Sequence, residues 1–489
     1  MKYFLTTLML LIMFGGKVIF AQEATDTTAN AESTVDEKIT EVKGQVDGLN
    51  ETVLAIQPVI DALAKIKVSG YIQGQFQSAQ NDNVKSFAGG NFPTLTHNRF
   101  MVRRGRIKFN YDNTSTNYVL QFDVTENGFA TKDAYVTVRE PWLKTAELWA
   151  GVFNRPFGFE IEYSSSSRET PERTRMFQTL FPGERDLGMK LEIRPQIDVL
   201  NLFNLKVGLF NGNGIAAETD NNKDIIGRFG ISLPFTDENL AIDAGVSAYM
   251  GKVQLDVPSS SSSSSLAKDS SWIKTASGLD SVKSYSYTLK SISTTTTPKI
   301  YKLDAPNSTP TAQDASVQTA DRQYIGGDFQ LYYDVPVLGG FSLRGEYISG
   351  KQPGSKSDNK FYARGAGDIY LRNFAGYYIN YVQNIGNDNQ FILKYDVFDP
   401  NTDVTGNDIG KVGGNTKLGW ADIKYTTLGL GWIYHWDANV KFVLYYDMVT
   451  NEKINSAATS STLVNGSSDL MYKNDIHDDV VTFRVQYRF

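Results

Sequence analysis

From about Lys67 to Phe489 the chain alternates apolar and polar residues with a period of two, in segments separated by turn-forming stretches. The segments predict about sixteen strands, near 67–79, 98–111, 116–126, 131–139, 145–154, 186–194, 203–211, 224–233, 240–252, 323–334, 340–350, 367–383, 388–399, 422–436, 439–448 and 480–489. The gaps between them alternate in length. Short gaps at 112–115, 140–144, 195–202, 234–239, 335–339, 384–387 and 437–438 take turns with long ones at 80–97, 155–185, 212–223, 253–322, 351–366, 400–421 and 449–479. Only 127–130 is short where a long connection is due. One phase of the alternation is apolar, as in Ile107 and Phe109, Leu205, Val207 and Leu209, or Phe442, Leu444 and Tyr446. The other phase is polar, as in Arg104, Arg106 and Lys108, Asp133 and Thr137, or Lys394 and Asp396. A soluble barrel points its apolar phase inward. Here the polar phase reads as the inward one, which predicts a water-filled lumen and a lipid-facing outside. Only a closed sheet is possible in hydrocarbon, because open edges leave amides without partners. The fold class is therefore all-β, a transmembrane antiparallel β-barrel over 67–489, with both termini on the short-turn, periplasmic side.

Residues 34–66 follow a different rhythm. Val35, Ile39, Val42, Val46, Leu49, Val53, Ile56, Ile60 and Leu63 recur at alternating spacings of four and three, a heptad seam. β-Branched residues at both seam positions shift coiled coils from dimers toward trimers. Gly44, Gly48 and Pro58 weaken an isolated helix, so packing must supply its stability. This segment reads as a periplasmic coiled-coil stalk of a homotrimer.

The two ends identify a compartment. Lys2, an apolar run from Phe4 to Phe14, and Ile19-Phe20-Ala21 before Gln22 make residues 1–21 a signal peptide, followed by a Thr/Ala/Glu-rich linker over 22–33. The run is too short for a membrane helix, which needs about 20 apolar residues. At the other end Val481, Phe483, Val485, Tyr487 and Phe489 share one face of a strand. A terminal Phe with aromatics at alternate positions, here Phe483, Tyr487 and Phe489, resembles the signal read by the outer-membrane barrel assembly machinery.

Composition removes other classes. With no cysteine there is no disulfide framework and no thiolate metal site, and His97, His435 and His477 are too scattered for a histidine-ligated metal, so neither metal nor cofactor is expected. A formal charge of −6 disfavours nucleic acid, which needs a basic surface. The serine- and threonine-rich stretch within 253–322 reads as a low-complexity external loop. Serines 164–167 offer hydroxyls for a barrel-embedded hydrolase, but no histidine in the sequence pairs with them in a recognisable arrangement. A second rival is an envelope tether that uses the stalk and keeps the barrel as an anchor.

Several segments, in order, resemble the phosphate-selective porin O/P family of outer-membrane channels. They are G-Y-I-Q at 70–73, N-R-F-M-V-R-R-G-R-I-K-F-N at 98–110, Y-V-L-Q-F-D at 118–123, K-D-A-Y-V at 132–136, G-V-F-N-R-P-F-G-F-E at 151–160, S-S-S-S-R-E-T-P-E-R at 164–173, R-D-L-G-M at 185–189 and K-V-G-L-F-N-G-N-G at 206–214. The resemblance covers about residues 68–235, with only the barrel rhythm afterwards. It implies a sixteen-stranded homotrimeric porin in outer-membrane lipids, with 155–185 as the constriction loop folded into the barrel. It also implies an arginine-rich path for small anions, phosphate included, beside neutral solutes. The candidate pore-lining residues are Arg104, Arg106, Lys108 and Arg139 on strands, and Arg155, Arg168, Arg173, Arg175 and Arg185 in the loop segment. Glu160, Glu162, Glu169, Glu172 and Glu184 accompany the loop arginines, so mutual pairing is the competing expectation. With the inward acids and bases nearly balanced along the strands, only mild anion preference is expected.

Overall fold

A computed structural model describes residues 35–254, 319–360 and 369–489, with short strand segments between 273 and 304. The expected signal peptide and linker, and most of the low-complexity loop, lie outside the described residues. The chain divides into two units, residues 1–64 and 65–489.

The first unit contains helix α1 (Val35–Ala64), which runs through Pro58 without a break. Val42, Val46, Leu49, Val53, Ile56, Ile60 and Leu63 on its seam are 47–64% exposed in the single chain. Ile39 belongs to the same helix.

The second unit is a closed barrel. Its sixteen strands among the described residues are β1 (Ile66–Ala79), β2 (Asn98–Asn113), β3 (Thr116–Thr125), β4 (Gly128–Arg139), β5 (Ala146–Asn154), β6 (Arg185–Ile193), β7 (Phe203–Phe210) and β8 (Asp224–Phe235), then β9 (Leu240–Gln254), β10 (Thr319–Val335), β11 (Gly339–Gly354), β12 (Ile369–Ile385), β13 (Asn389–Asp399), β14 (Tyr425–His435), β15 (Val440–Asn451) and β16 (Val480–Arg488). Each pairs antiparallel with the next, and β16 pairs with β1 from Tyr71↔Arg488 to Ala79↔Val480. A short hairpin, Thr288–Ser291 with Lys299–Asp304, joins the start of β12.

The outer surface is the apolar phase. Ile107, Phe109, Leu205, Val207, Leu209, Leu393, Tyr395, Leu444, Phe483 and Tyr487 all stand exposed. Between them Gln73, Arg104, Arg106, Lys190, Arg344, Lys394 and Arg484 are buried in the interior. The interior is not uniformly wet, however. From β8 round to β13 the inward positions include Ile226, Tyr249, Tyr324, Ile348, Phe374, Tyr378 and Phe398, and they form one buried aromatic core with the loop after β5. The expectation of a lumen that is polar throughout is corrected here. One side of the barrel is packed like a soluble core, because the loop supplies the second layer those side chains need.

Outside the barrel ends, the connections 400–424 and 452–479 build a small core of their own, including Ile409, Leu418, Ile423, Ile454, Leu463 and Tyr472.

The terminal residue closes the sheet. Phe489 and Gly70 exchange both backbone hydrogen bonds at 3.0 Å. A Cβ on Gly70 would lie 2.4 Å from the Arg106 carbonyl oxygen and 2.7 Å from the Phe489 ring. Deleting Phe489 removes two ladder bonds, each net about 1 kcal/mol, whereas Phe489→Ala keeps them and loses only the ring. Deletion should therefore lower the yield of folded barrel more than Phe489→Ala does, and Gly70→Val should lower it as well. The fraction migrating as compact barrel on unheated gels measures this; equal yields for deletion and Phe489→Ala would contradict it.

Candidate functional site: the lumen and its inner loop

The loop 155–184 leaves β5 and turns into the barrel. Gly158 makes the turn possible. It sits at φ +62°, and a Cβ there would lie 2.1 Å from a carboxylate oxygen of Glu346. The chain thus wraps that carboxylate, with Phe159 N–H donating to it at 2.8 Å and the Tyr378 hydroxyl at 2.7 Å. Phe157, Ile161, Met176, Phe177, Leu180 and Phe181 then pack into the aromatic core, the last four from or beside the one-turn helix α2 (Arg175–Leu180). Burying six such side chains fixes the loop far more firmly than any exposed ion pair could, at roughly 1.5–3 kcal/mol for a fully buried apolar side chain.

Opposite the core, the loop is tied to β1, β2 and β16 by charge. The register of β2 against β1 slips between Gln73↔Arg104 and Gly74↔Val102, which leaves Arg103 as a bulged residue. The bulge turns two consecutive arginines toward the loop. Arg103 Nε reaches Glu172 at 2.8 Å, Arg104 Nη2 at 2.7 Å, and Arg484 Nη2 from β16 at 3.1 Å. One buried carboxylate holds three guanidiniums. Glu169 takes a two-pronged contact from Arg344 at 2.9 Å on each arm.

The nine candidate pore residues separate into two groups. Arg106, Lys108, Arg173 and Arg185 line a cavity of about 400 Å³ between the loop and the β2–β7 wall, together with Lys190, Lys206, Asp133, Glu162 and Glu192. Arg139 lines a second cavity of about 530 Å³ at the short-turn end, with Lys144, Arg194, Glu147 and Glu192. Glu192 belongs to both. The remaining candidates are engaged within the scaffold. Arg104 is held by Glu172, and Arg155 is fully buried, donating to the Glu184 carbonyl at 3.3 Å and lying over Phe181. Arg168 donates to the carbonyls of Thr170 and Pro171 at 3.2 and 3.1 Å. Arg175 is sandwiched between the rings of Phe87 (4.4 Å) and Tyr425 (3.8 Å), with Asp478 at 4.0 Å. Burial pushes the Asp478 carboxyl up to about 7 while Arg175 pulls it down.

Lining residues carry partners too. Arg106 donates to Asp123 at 3.4 Å and to the Ser165 hydroxyl at 2.9 Å, and Arg185 binds Asp133 at 3.0 Å. Lys190 meets Glu192 at 3.1 Å and Lys206 meets Glu162 at 2.5 Å. Even so, the two cavities together present nine basic groups against four acids. A larger cavity of about 610 Å³ on the other side has Glu169 and Asp334 against Arg344 and is not basic. The hydroxyls of Ser164 and Ser166 bond each other, and that of Ser165 bonds Tyr71, so the described contacts give none of them a histidine base. No group of three or more metal-ligating side chains occurs among the described residues.

Sequence reading missed Arg103 and the aromatic side of the lumen. For Arg103 a signal existed. The outward apolar residues are even-numbered at Phe100 and Val102 but odd-numbered at Ile107 and Phe109, so one extra residue must lie between.

No family model matches the chain, and no curated protein matches it. Solved structures do. The chain is similar to OprB of Pseudomonas putida (9% identity, TM-score 0.52, covering 88% of this chain and 96% of that one). It is similar also to an anion-selective porin of Comamonas acidovorans (12%, 0.47, covering 87% and 99%) and to the outer-membrane channel DcaP of Acinetobacter baumannii (12%, 0.46, covering 87% and 97%). At 9% identity and a TM-score above 0.5, the likeness to OprB is one of fold, a closed barrel.

Proposed function

We propose that the protein is an outer-membrane porin of a Gram-negative bacterium, a channel for passive diffusion of small hydrophilic solutes with a mild preference for anions. The observation that carries this reading is the pair of cavities along the β2–β7 wall, which share Glu192 as a lining residue and together carry a basic excess of five groups. Rings of fixed charge bias which ions enter a narrow aqueous passage. Phosphate is one candidate solute, in keeping with the resemblance to the phosphate-selective O/P porins. The exposed seam of α1 supports a homotrimer with a periplasmic coiled coil.

Two measurements test this. Liposomes carrying the purified protein should swell in small sugars and stop swelling as solute size rises; liposomes that do not swell in any solute would leave the channel reading without support. Val46→Asp/Val53→Asp places two carboxylates on the seam and should shift the isolated 23–64 segment from trimer to monomer in sedimentation. A segment that stays monomeric without the substitutions would remove the stalk.

A further inference from the structure

The cavity of about 610 Å³ stands apart from the basic pair and shares no lining residue with either of them. It is built from the short-turn ends of β8 to β13, and its walls continue the inward phase of those strands. Tyr324, Asp328 and Gln330 are buried on β10, so Tyr332 follows them inward. By the same alternation Ser342 and Arg344 on β11, Asn384 after Val382 on β12, and Gln390 before Ile392 on β13 face the same space. Arg344 and Glu169 form its inner end. Two residues further along β11 the inner loop wraps Glu346, with the Phe159 N–H donating to it at 2.8 Å, so the loop blocks the way onward along that strand.

The chemistry of this space is neutral. Arg344 gives both arms to Glu169 at 2.9 Å, which spends its charge. Asp334 is exposed at the turn, where water screens it. The groups left to meet a ligand are uncharged. Ser342 is only 6% exposed, and its hydroxyl has no hydrogen-bond partner among the described residues. A buried hydroxyl without a partner is costly unless something in the cavity bonds it. Gln390 Nε2 donates to Asn384 Oδ1 at 2.8 Å, and the His435 ring meets Gln390 Oε1 at 3.2 Å. These bonds fix both amide planes and leave the Asn384 amino group as a donor without a partner among the described residues. Tyr332 adds a partly exposed aromatic ring.

We propose that this cavity binds a short neutral oligosaccharide. The ring of Tyr332 suits the C–H face of a sugar, while the Ser342 hydroxyl and the oriented Asn384 amide suit its hydroxyls. An anion finds its counter-charge already spent on Glu169, and a wholly apolar ligand would leave Ser342 unpaired. The volume is that of a small-molecule site. The inference rests on the porin reading for its supply of solute, and it adds a place where one class of solute is held as well as passed.

The test is isothermal titration of the purified full chain with maltotriose and, separately, chitotriose, in a detergent without a sugar headgroup. At least one sugar should bind saturably. A tenfold excess of inorganic phosphate should not displace it, and a polyethylene glycol of similar mass should not bind. Tyr332→Ala should weaken binding roughly tenfold, whereas Tyr332→Phe keeps the ring and should retain it. Ser342→Ala removes a hydroxyl that bonds nothing in the barrel, so it should fold normally on unheated gels and still bind several-fold more weakly. Conductance steps in a planar bilayer without heat from either sugar would overturn the sugar site and spare the channel; neither steps nor heat would overturn both. Displacement by phosphate would overturn the ligand class, and undiminished binding in Tyr332→Ala and Ser342→Ala would overturn the location.

Discussion

Glu172→Gln should loosen the inner loop and raise conductance. The carboxylate neutralises Arg103, Arg104 and Arg484 at once, all within 3.1 Å, and its side chain is 7% exposed. Removing one partner of a buried ion pair costs about 3–5 kcal/mol, because the charge left behind has no compensation. Here lumen water can reach the freed guanidiniums once the loop lifts, so the cost falls on the attachment of the loop to β1, β2 and β16. The aromatic core should keep the far side anchored. The expected phenotype is a lower melting temperature, larger single-channel conductance and stronger anion preference, since three formerly paired arginines then face the passage. Unchanged conductance together with an unchanged melting temperature would show that Glu172 does not hold the loop.

The second large effect concerns the passage itself. Lys108→Glu/Lys190→Glu/Lys206→Glu changes the combined lining of the two cavities from nine basic and four acidic groups to six and seven. Reversal potentials should change sign, from anion preference to cation preference. The matching triple glutamine variant should fall between the two and serves as a control for packing. The effect should shrink with salt, because screening shortens from about 10 Å at 0.1 M to about 3 Å at 1 M. A triple glutamate variant that remains anion-preferring at low salt would place the ion path elsewhere in the barrel.

The barrel was legible because its physics repeats. Each strand must put apolar side chains toward lipid and pair both backbone edges, so sixteen segments carried the same two-residue signature, and the turn lengths separated its two ends. The lumen has no such repetition. Phe374 and Tyr378 on β12 are inward, yet they look no different in sequence from the outward Tyr377 and Ile379 beside them. Their burial depends on a loop some two hundred residues earlier in the chain, which is a tertiary fact. Among the arginines the ambiguity was chemical. Arg104 and Arg106 share a face two residues apart, but one meets Glu172 and the other lines a cavity. Spacing could place both inside the barrel; only the path of the loop decides which is spent on holding it. The loop's glutamates, which suggested internal pairing, in fact reach mostly to the wall: Glu162 to Lys206, Glu169 to Arg344 and Glu172 to Arg103, Arg104 and Arg484, while Glu184 pairs with Arg173 and Arg185.

The bulge at Arg103 is different in kind. The phase change between Val102 and Ile107 was present in the sequence and has a simple meaning, one residue too many for the pleat. Its consequence, two adjacent arginines facing inward, needs the three-dimensional partner to be recognised.

The central claim, an aqueous passage along the β2–β7 wall that favours anions, is tested most directly by the wild-type protein in a planar bilayer. With a tenfold gradient of KCl across the membrane at low salt, the current should come in discrete steps and reverse at a potential of the sign given by chloride permeating faster than potassium. Steps that reverse on the potassium side would contradict the account.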